Sequence, residues 1–301
     1  MHLKNIVKKK ENLEKIFLKA NSQKNILLVT IAKLNNQLKF YARNAFNNKE
    51  IINQISSLYN IENSLIEKEK NIYSFLFNKF QKEKELWIYL KEKEEYSVDS
   101  YSRYEKIILN NVKSKKIDFI ALNESAKNFL QKNNLKILKT FDLKVEEIST
   151  ILSTTIKFLY LNNNYKKVNF ILNSNKNYNS YFTILPLHDF DISKFNLDSN
   201  SILKNSIDKY SIYPNVNNFV DNTLDTYIEN VVNSLIVESK FYKAKNNLVK
   251  FNKVLKDIDQ KIFTIKRKIA KIKQEKEIEE IALITKNNSK FNLMFEGENE
   301  K

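Results

Sequence analysis

A chain of 301 residues with 42% hydrophobic side chains has the apolar mass for a core, which excludes disorder as the default. One glycine (Gly297), two prolines (Pro186 and Pro214) and no cysteine leave little to interrupt helices, and they exclude disulfides, thiol nucleophiles, thiolate metal sites and glycine-rich phosphate loops. Fifty-one Lys and Arg against 35 Asp and Glu give a formal net charge of +16, which carries two readings: attraction to an acidic partner, or the lysine and asparagine excess of AT-rich coding.

In chain order, Leu3, Ile6, Leu13, Phe17, Ala20, Leu27, Ile31, Leu34, Leu38, Tyr41 and Ala45 alternate spacings of three and four. With Lys10 and Lys24 as polar interruptions, they predict a shaft helix over 1–46. Residues 47–85 read as a helical connector without a sustained heptad. Leu86 to Leu90 is a short apolar run between charges and reads as a buried strand, with Trp87 in the core and the Lys/Glu run Lys82 to Glu95 as a solvated face around it. Further strands are expected at Ile117–Leu122, Lys136–Leu138, Val168–Leu172 and Phe182–Leu185. Helices are expected at Tyr104–Val112, Glu124–Lys132 and Val145–Leu161. Strands separated by single helices imply parallel pairing, so 86–213 is an α/β, Rossmann-like domain.

Pro214 opens the C-terminal shaft helix, 214–285, whose run from Val216 to about Ile284 would span on the order of 100 Å. Leu248, Phe251, Leu255, Ile258, Ile262, Ile265, Ile269 and Ile272 form an unbroken seam. One helix enters the middle region and the other leaves it, so the economical arrangement is an antiparallel coiled coil with a globular domain at one end. Residues 286–301 read as a mobile tail with an apolar cluster of Phe291, Leu293, Met294 and Phe295.

These segments resemble the gamma subunit, the central stalk, of F-type ATP synthases. The family's Ser-Glu pair, Asn and Ile-Thr-Gln-Glu element are matched without a gap by Glu238, Asn252 and Ile272-Lys273-Gln274-Glu275, with Lys273 in place of Thr. Lys266 and Lys268 match its Lys-x-Arg. Ile212-Tyr213-Pro214 followed by Leu224, Tyr227 and Ile228 is similar to the family's entry into this helix. Leu3-Lys4-Asn5-Ile6, Ala32-Lys33-Leu34, Asp118-Phe119-Ile120 and Ile184-Leu185-Pro186-Leu187 resemble further family segments, the first two in different registers. The glycine-rich element that follows the family's first strand is missing: Lys91 to Ser102 has no glycine or cysteine and carries Lys93, Glu94 and Glu95.

The resemblance implies a noncatalytic rotor subunit in a hexameric ring of catalytic and noncatalytic ATPase subunits, with ATP and Mg held by those partners and no cofactor in this chain. It implies that Lys266, Arg267, Lys268, Gln274, Glu275, Leu28 and Lys33 contact partners. The foot would meet a small stalk subunit, a membrane ring or a divergent replacement, so the load is either a proton-driven ring or another process such as motility. The expected location is cytoplasmic, peripheral to the inner face of the cell membrane.

The bland readings are a solvated helix face for Lys266 to Lys268 and a loop with incidental charge for His188-Asp189-Phe190-Asp191, which has no second cluster to complete a site. The longest apolar stretch, around Ile26 to Ala32, is far shorter than a membrane span. A basic coiled-coil scaffold or nucleic-acid-associated protein is the alternative function, although no nucleic-acid-binding fold signature accompanies the charge.

Overall fold

The computed structural model describes residues 2–59, 61, 63, 65–66, 84–93, 100–176, 180–191, 195 and 211–296. It is an α/β protein with long terminal helices that form an antiparallel coiled coil, and it divides into two units: Met1–Thr30 with Lys245–Lys301, and Ile31–Ala244. Its elements are α1 (His2–Leu58), β1 (Lys84–Leu90), α2 (Ser102–Ser114), β2 (Lys116–Leu122), α3 (Glu124–Lys132), β3 (Ile137–Phe141), α4 (Ile148–Asn162), β4 (Lys167–Ile171), β5 (Phe182–Leu185), a 3-10 turn (Leu187–Asp189) and α5 (Val216–Glu296).

In the second unit the strand order is β3-β2-β1-β4-β5. β1 to β4 pair in parallel, whereas β5 joins β4 antiparallel because the connection from Ile171 to Phe182 is too short for a parallel crossover. Alternate side chains of a central strand face opposite sides. Leu86, Ile88 and Leu90 therefore enter one apolar cluster with Leu38, Ile52, Leu152, Ile156, Val231 and Leu235, while Trp87 and Tyr89 enter another with Tyr104, Ile108, Ala126 and Leu130. The sheet is thus covered on both faces: α2 and α3 on one side, parts of α1, α4 and α5 on the other.

In a chain with one glycine, three of the four positive-φ positions among the described residues fall to asparagine, whose short polar side chain tolerates left-handed backbone, and the fourth is Glu147 (φ 54°) ahead of α4. Asn134 (φ 53°) follows α3, Asn164 (φ 52°) follows α4, and Asn123 (φ 74°) links β2 to α3. At the end of α3 the Leu135 N–H donates to the Leu130 carbonyl at 3.0 Å and the Asn134 N–H to that of Gln131 at 3.0 Å, the paired bonds of a Schellman cap.

In the first unit Leu255, Ile258 and Ile262 are buried and Leu248, Phe251, Ile265, Ile269 and Ile272 half-buried, while nearly every residue between them from Val249 to Lys273 is exposed. On α1 Ala20 is buried, and Leu13, Phe17 and Leu27 are half-buried together with Lys10 and Lys24. Lys10 lies 3.4 Å from Glu14, so a lysine in the seam keeps a local partner.

Several boundaries differ from expectation. α1 continues to Leu58, through the first part of the expected connector, because Ile52 and Ile55 bury against the sheet; residues 60, 62, 64 and 67–83 lie outside the described residues. α5 runs as helix to Glu296, beyond residue 285, with no glycine or proline to stop it. The side chains of Phe291, Leu293, Met294 and Phe295 lie outside the described residues. The charges around β1 do not form a solvated face: Glu85 is 1% exposed, since β1 is the central strand, and Lys91 and Glu92 are ion-paired.

Candidate functional site at the carboxyl ends of the strands

From β1 the chain proceeds to β2 and β3 on one side, then returns to place β4 on the other, so β1 and β4 flank a topological switch point. In open α/β sheets the crevice beyond the carboxyl ends at this point is the usual ligand position. Here side chains of the chain itself occupy it. Tyr104, on the first turn of α2, donates its hydroxyl to the Ser174 carbonyl at 3.0 Å and accepts the Ser174 N–H at 3.2 Å. Its burial raises the phenol pKa, outweighing the backbone contact at Ser174 and the neighbouring Arg103, so the hydroxyl stays protonated. Arg103 Nη2 donates to Tyr104 Oη at 3.0 Å and to Asn173 Oδ1 at 3.1 Å, and the Asn173 amide donates to Ser100.

Helix α5 is tied into the same network. Ser174 Oγ donates to Glu238 Oε1 at 2.6 Å, and Lys176 Nζ lies 3.7 Å from Glu238 Oε2. Glu238 is 2% exposed, and such a carboxylate persists only when paired. One turn on, Lys243 Nζ donates to Glu92 Oε2 at 2.8 Å, and Ser239 Oγ to Glu92 Oε1 at 3.4 Å. Lys91 Nζ and the Tyr89 hydroxyl both reach Glu105 Oε1, at 2.6 Å and 3.0 Å. The result is a clamp of ion pairs and hydrogen bonds between α5 and the ends of β1 and β4. It is suited to holding a helix in place.

The amino ends of the strands carry a second network. Glu85 accepts from Lys115 Nζ at 2.7 Å and from Trp87 Nε1 and Asn169 Nδ2, each at 2.8 Å. Burial disfavours the Lys115 ammonium, but the hydrogen bond and charge of Glu85 outweigh it and raise its pKa. Asp118 accepts the Tyr165 hydroxyl at 2.5 Å, with Lys136 and Lys84 at 3.2 Å and 3.6 Å. Burial opposes its ionisation. The Tyr165 hydrogen bond and the two lysines prevail and hold its pKa below the ordinary value.

Of the residues expected to contact partners, Lys266, Arg267, Lys268, Gln274 and Glu275 are exposed on α5, and Leu28 and Lys33 are exposed on α1. Lys266 Nζ is 3.9 Å from Glu14, the Arg267 guanidinium sits 5.9 Å from the Phe263 ring centre, and Glu275 pairs with Lys271 at 3.8 Å. Asn252 is exposed too, whereas Glu238 lies in the buried clamp. Glu94 and Glu95 lie outside the described residues; Lys93 is exposed. Asp189 pairs with Lys167 at 2.7 Å, and the backbone carbonyl of Phe190 accepts from Lys49 Nζ at 3.0 Å. Among the described residues no group of three or more His, Asp or Glu could hold a metal ion, and no helix is long and apolar enough to cross a membrane.

Sequence reasoning missed Arg103, Tyr104, Asn173, Ser174 and Lys243. The available signal was positional: Asn173-Ser174 directly follows an apolar strand, and Arg103-Tyr104 opens the helix after β1.

The fold and clamp define a long-helix protein built on a doubly wound α/β sheet. No family model matches the chain. It is 45% identical over 294 residues to the uncharacterized protein UU050 of Ureaplasma parvum serovar 3, covering 96% of this chain and 95% of that protein, and it belongs to that protein's family. Among solved structures it is similar to the Euglena gracilis mitochondrial ATP synthase rotor in rotational state 1 (11% identity, TM-score 0.45, 91% of this chain and 98% of that chain). It is also similar to a chain of the Euglena gracilis OSCP/F1/c-ring assembly in rotational state 3 (10% identity, TM-score 0.44, 100% and 97%). A third is from the Tetrahymena thermophila mitochondrial ATP synthase central stalk and c-ring (16% identity, TM-score 0.38, 73% and 98%).

Proposed function

We propose that this chain is the noncatalytic central-stalk subunit of an F-type or F-like rotary ATPase. The observation that carries the reading is the gap-free series on α5: Glu238, Asn252 and Ile272 to Glu275 fall at the spacings of the gamma family. The surroundings of these residues suit the role. Glu238 is buried in the clamp that fixes α5 to the sheet, the seam residues Leu255, Ile258 and Ile262 are buried, and Asn252, Gln274 and Glu275 point to solvent where partners can reach them.

The first unit also leaves large apolar side chains uncovered, among them Ile26, Val29, Phe263 and Ile281, each above 60% exposed. Two paired helices cannot cover them, so an enclosing sleeve of partner subunits would. Inside a ring of catalytic and noncatalytic subunits a two-helix coil is asymmetric, and it forces each catalytic site into a different state. ATP and Mg belong to those subunits. The seam supplies stiffness, and the Glu238 and Glu92 contacts resist slippage of α5 against the sheet.

Co-expression with its genomic neighbours, followed by purification and mass spectrometry, tests this reading. The chain should co-purify with subunits bearing phosphate-binding loops, and the complex should hydrolyse ATP while turning a probe attached to this chain. Isolation with nucleic acid and without any ATPase subunit would replace the stalk with the scaffold reading.

A further inference from the structure

Helix α4 lacks the charged face that a solvent-exposed helix ordinarily carries. Of its 15 residues only Lys157 is charged, in a chain where 29% of residues are. Its inward residues Leu152 and Ile156 are buried in the core, yet Phe158 is 61% exposed, Leu161 48% and Ile151 43%. The spacing of 151, 158 and 161, with Thr154 between, sets them along one outward stripe.

Beside this stripe the neighbouring turns of α5 present Asp221, Asp225 and Glu229, a row with helical spacing of four. Lys157 reaches across to Asp225 at 2.6 Å and Asp221 at 3.3 Å, and Thr150 Oγ1 donates to Glu229 Oε1 at 2.7 Å. Three carboxylates against one ammonium leave the rim acidic, although the whole chain carries +16. Between the two helices lies a cleft of about 460 Å³ whose walls include Thr154, Phe158 and Leu161 on one side and Asp225 and Glu229 on the other.

We propose that this cleft is a docking groove for an amphipathic helix of a partner protein, one with an apolar face and a row of Lys or Arg along its flank. Two helices with a shallow groove between them accept a third by ridge-into-groove packing, and Phe158 and Leu161 supply the apolar anchor. The acidic row selects the basic flank. It also disfavours an anionic lipid surface, which would meet carboxylates first. The inference draws only on α4 and the first turns of α5 and does not rest on the stalk reading.

Fluorescence anisotropy with the full-length chain and two synthetic helical peptides of about five turns tests the proposal. The peptides share a leucine face, one with lysines on the flank and the other with glutamates. The lysine peptide should bind and should weaken about tenfold on Phe158→Ser and on the double change Asp225→Lys with Glu229→Lys. Phe158 is exposed, so its variant should keep wild-type circular dichroism and melting. Glutamate-peptide binding, drawn by basic surfaces elsewhere, should ignore Phe158→Ser. The proposal is overturned if the lysine peptide does not bind, if it binds Phe158→Ser as well as wild type, or if Phe158 dependence appears instead with the glutamate peptide or with phosphatidylglycerol vesicles.

Discussion

Glu238 and Asp118 show how buried carboxylates in this chain are made tolerable. Glu238 accepts from Ser174 and lies 3.7 Å from Lys176, so its removal would take this acceptor from the buried Ser174 hydroxyl and a carboxylate from beside the Lys176 ammonium. Glu238→Ala should therefore lower unfolding free energy by about 2–4 kcal/mol, read from urea denaturation of the full chain. An unchanged midpoint would mean that the clamp contributes nothing to the fold. Asp118 adds a pH dependence. Because its folded pKa is depressed, its ionisation stabilises the protein above the ordinary carboxylate pKa of about 3.9, and that contribution is lost as pH falls through the lower folded value. Asp118→Asn should thus be less stable than wild type near pH 7, with the gap shrinking on acidification. A gap that is constant down to about pH 3 would assign the loss to geometry rather than charge.

Two isoleucines of α5 separate packing from surface. Ile262 is 6% exposed and Ile278 66% exposed, on the same helix and with the same side chain. Ile262→Asp places a charge in a packed seam and should cost roughly 3–5 kcal/mol in the melting of the isolated chain, whereas Ile278→Asp should cost less than about 0.5 kcal/mol. Equal melting of the two variants would contradict the pairing of α1 and α5. The seam was legible because its period survives across many turns, and the strands because each is an apolar run between charges. The helix limits were less so: Ile52 and Ile55 extend α1 through tertiary burial that no heptad signals. The clamp was largely illegible. Its members Glu92, Arg103, Tyr104, Ser174 and Lys243 are scattered in sequence and meet only because β4 returns beside β1, although Glu238 itself stood out by resemblance.

For the whole molecule, charge matters most where it is exposed and weakly paired. Lys266 is 58% exposed and the Glu14 carboxylate stands 3.9 Å away, a contact of the kind worth under about 1 kcal/mol; Arg267 and Lys268 are exposed beside it. None of the three enters the buried seam of Leu255, Ile258 and Ile262, so the fold has little stake in their sign. Changing all three to Glu should leave helicity and melting of the isolated chain close to wild type. On the stalk reading they face acidic surfaces of the surrounding subunits, where reversed charge would repel at close range and suppress assembly or ATP-driven rotation. The measurement is co-purification of the ATPase subunits with the triple variant, together with ATP hydrolysis by whatever complex forms. A complex of normal yield and turnover would reduce the cluster to a solvated helix face and remove these side chains from the transmission of force.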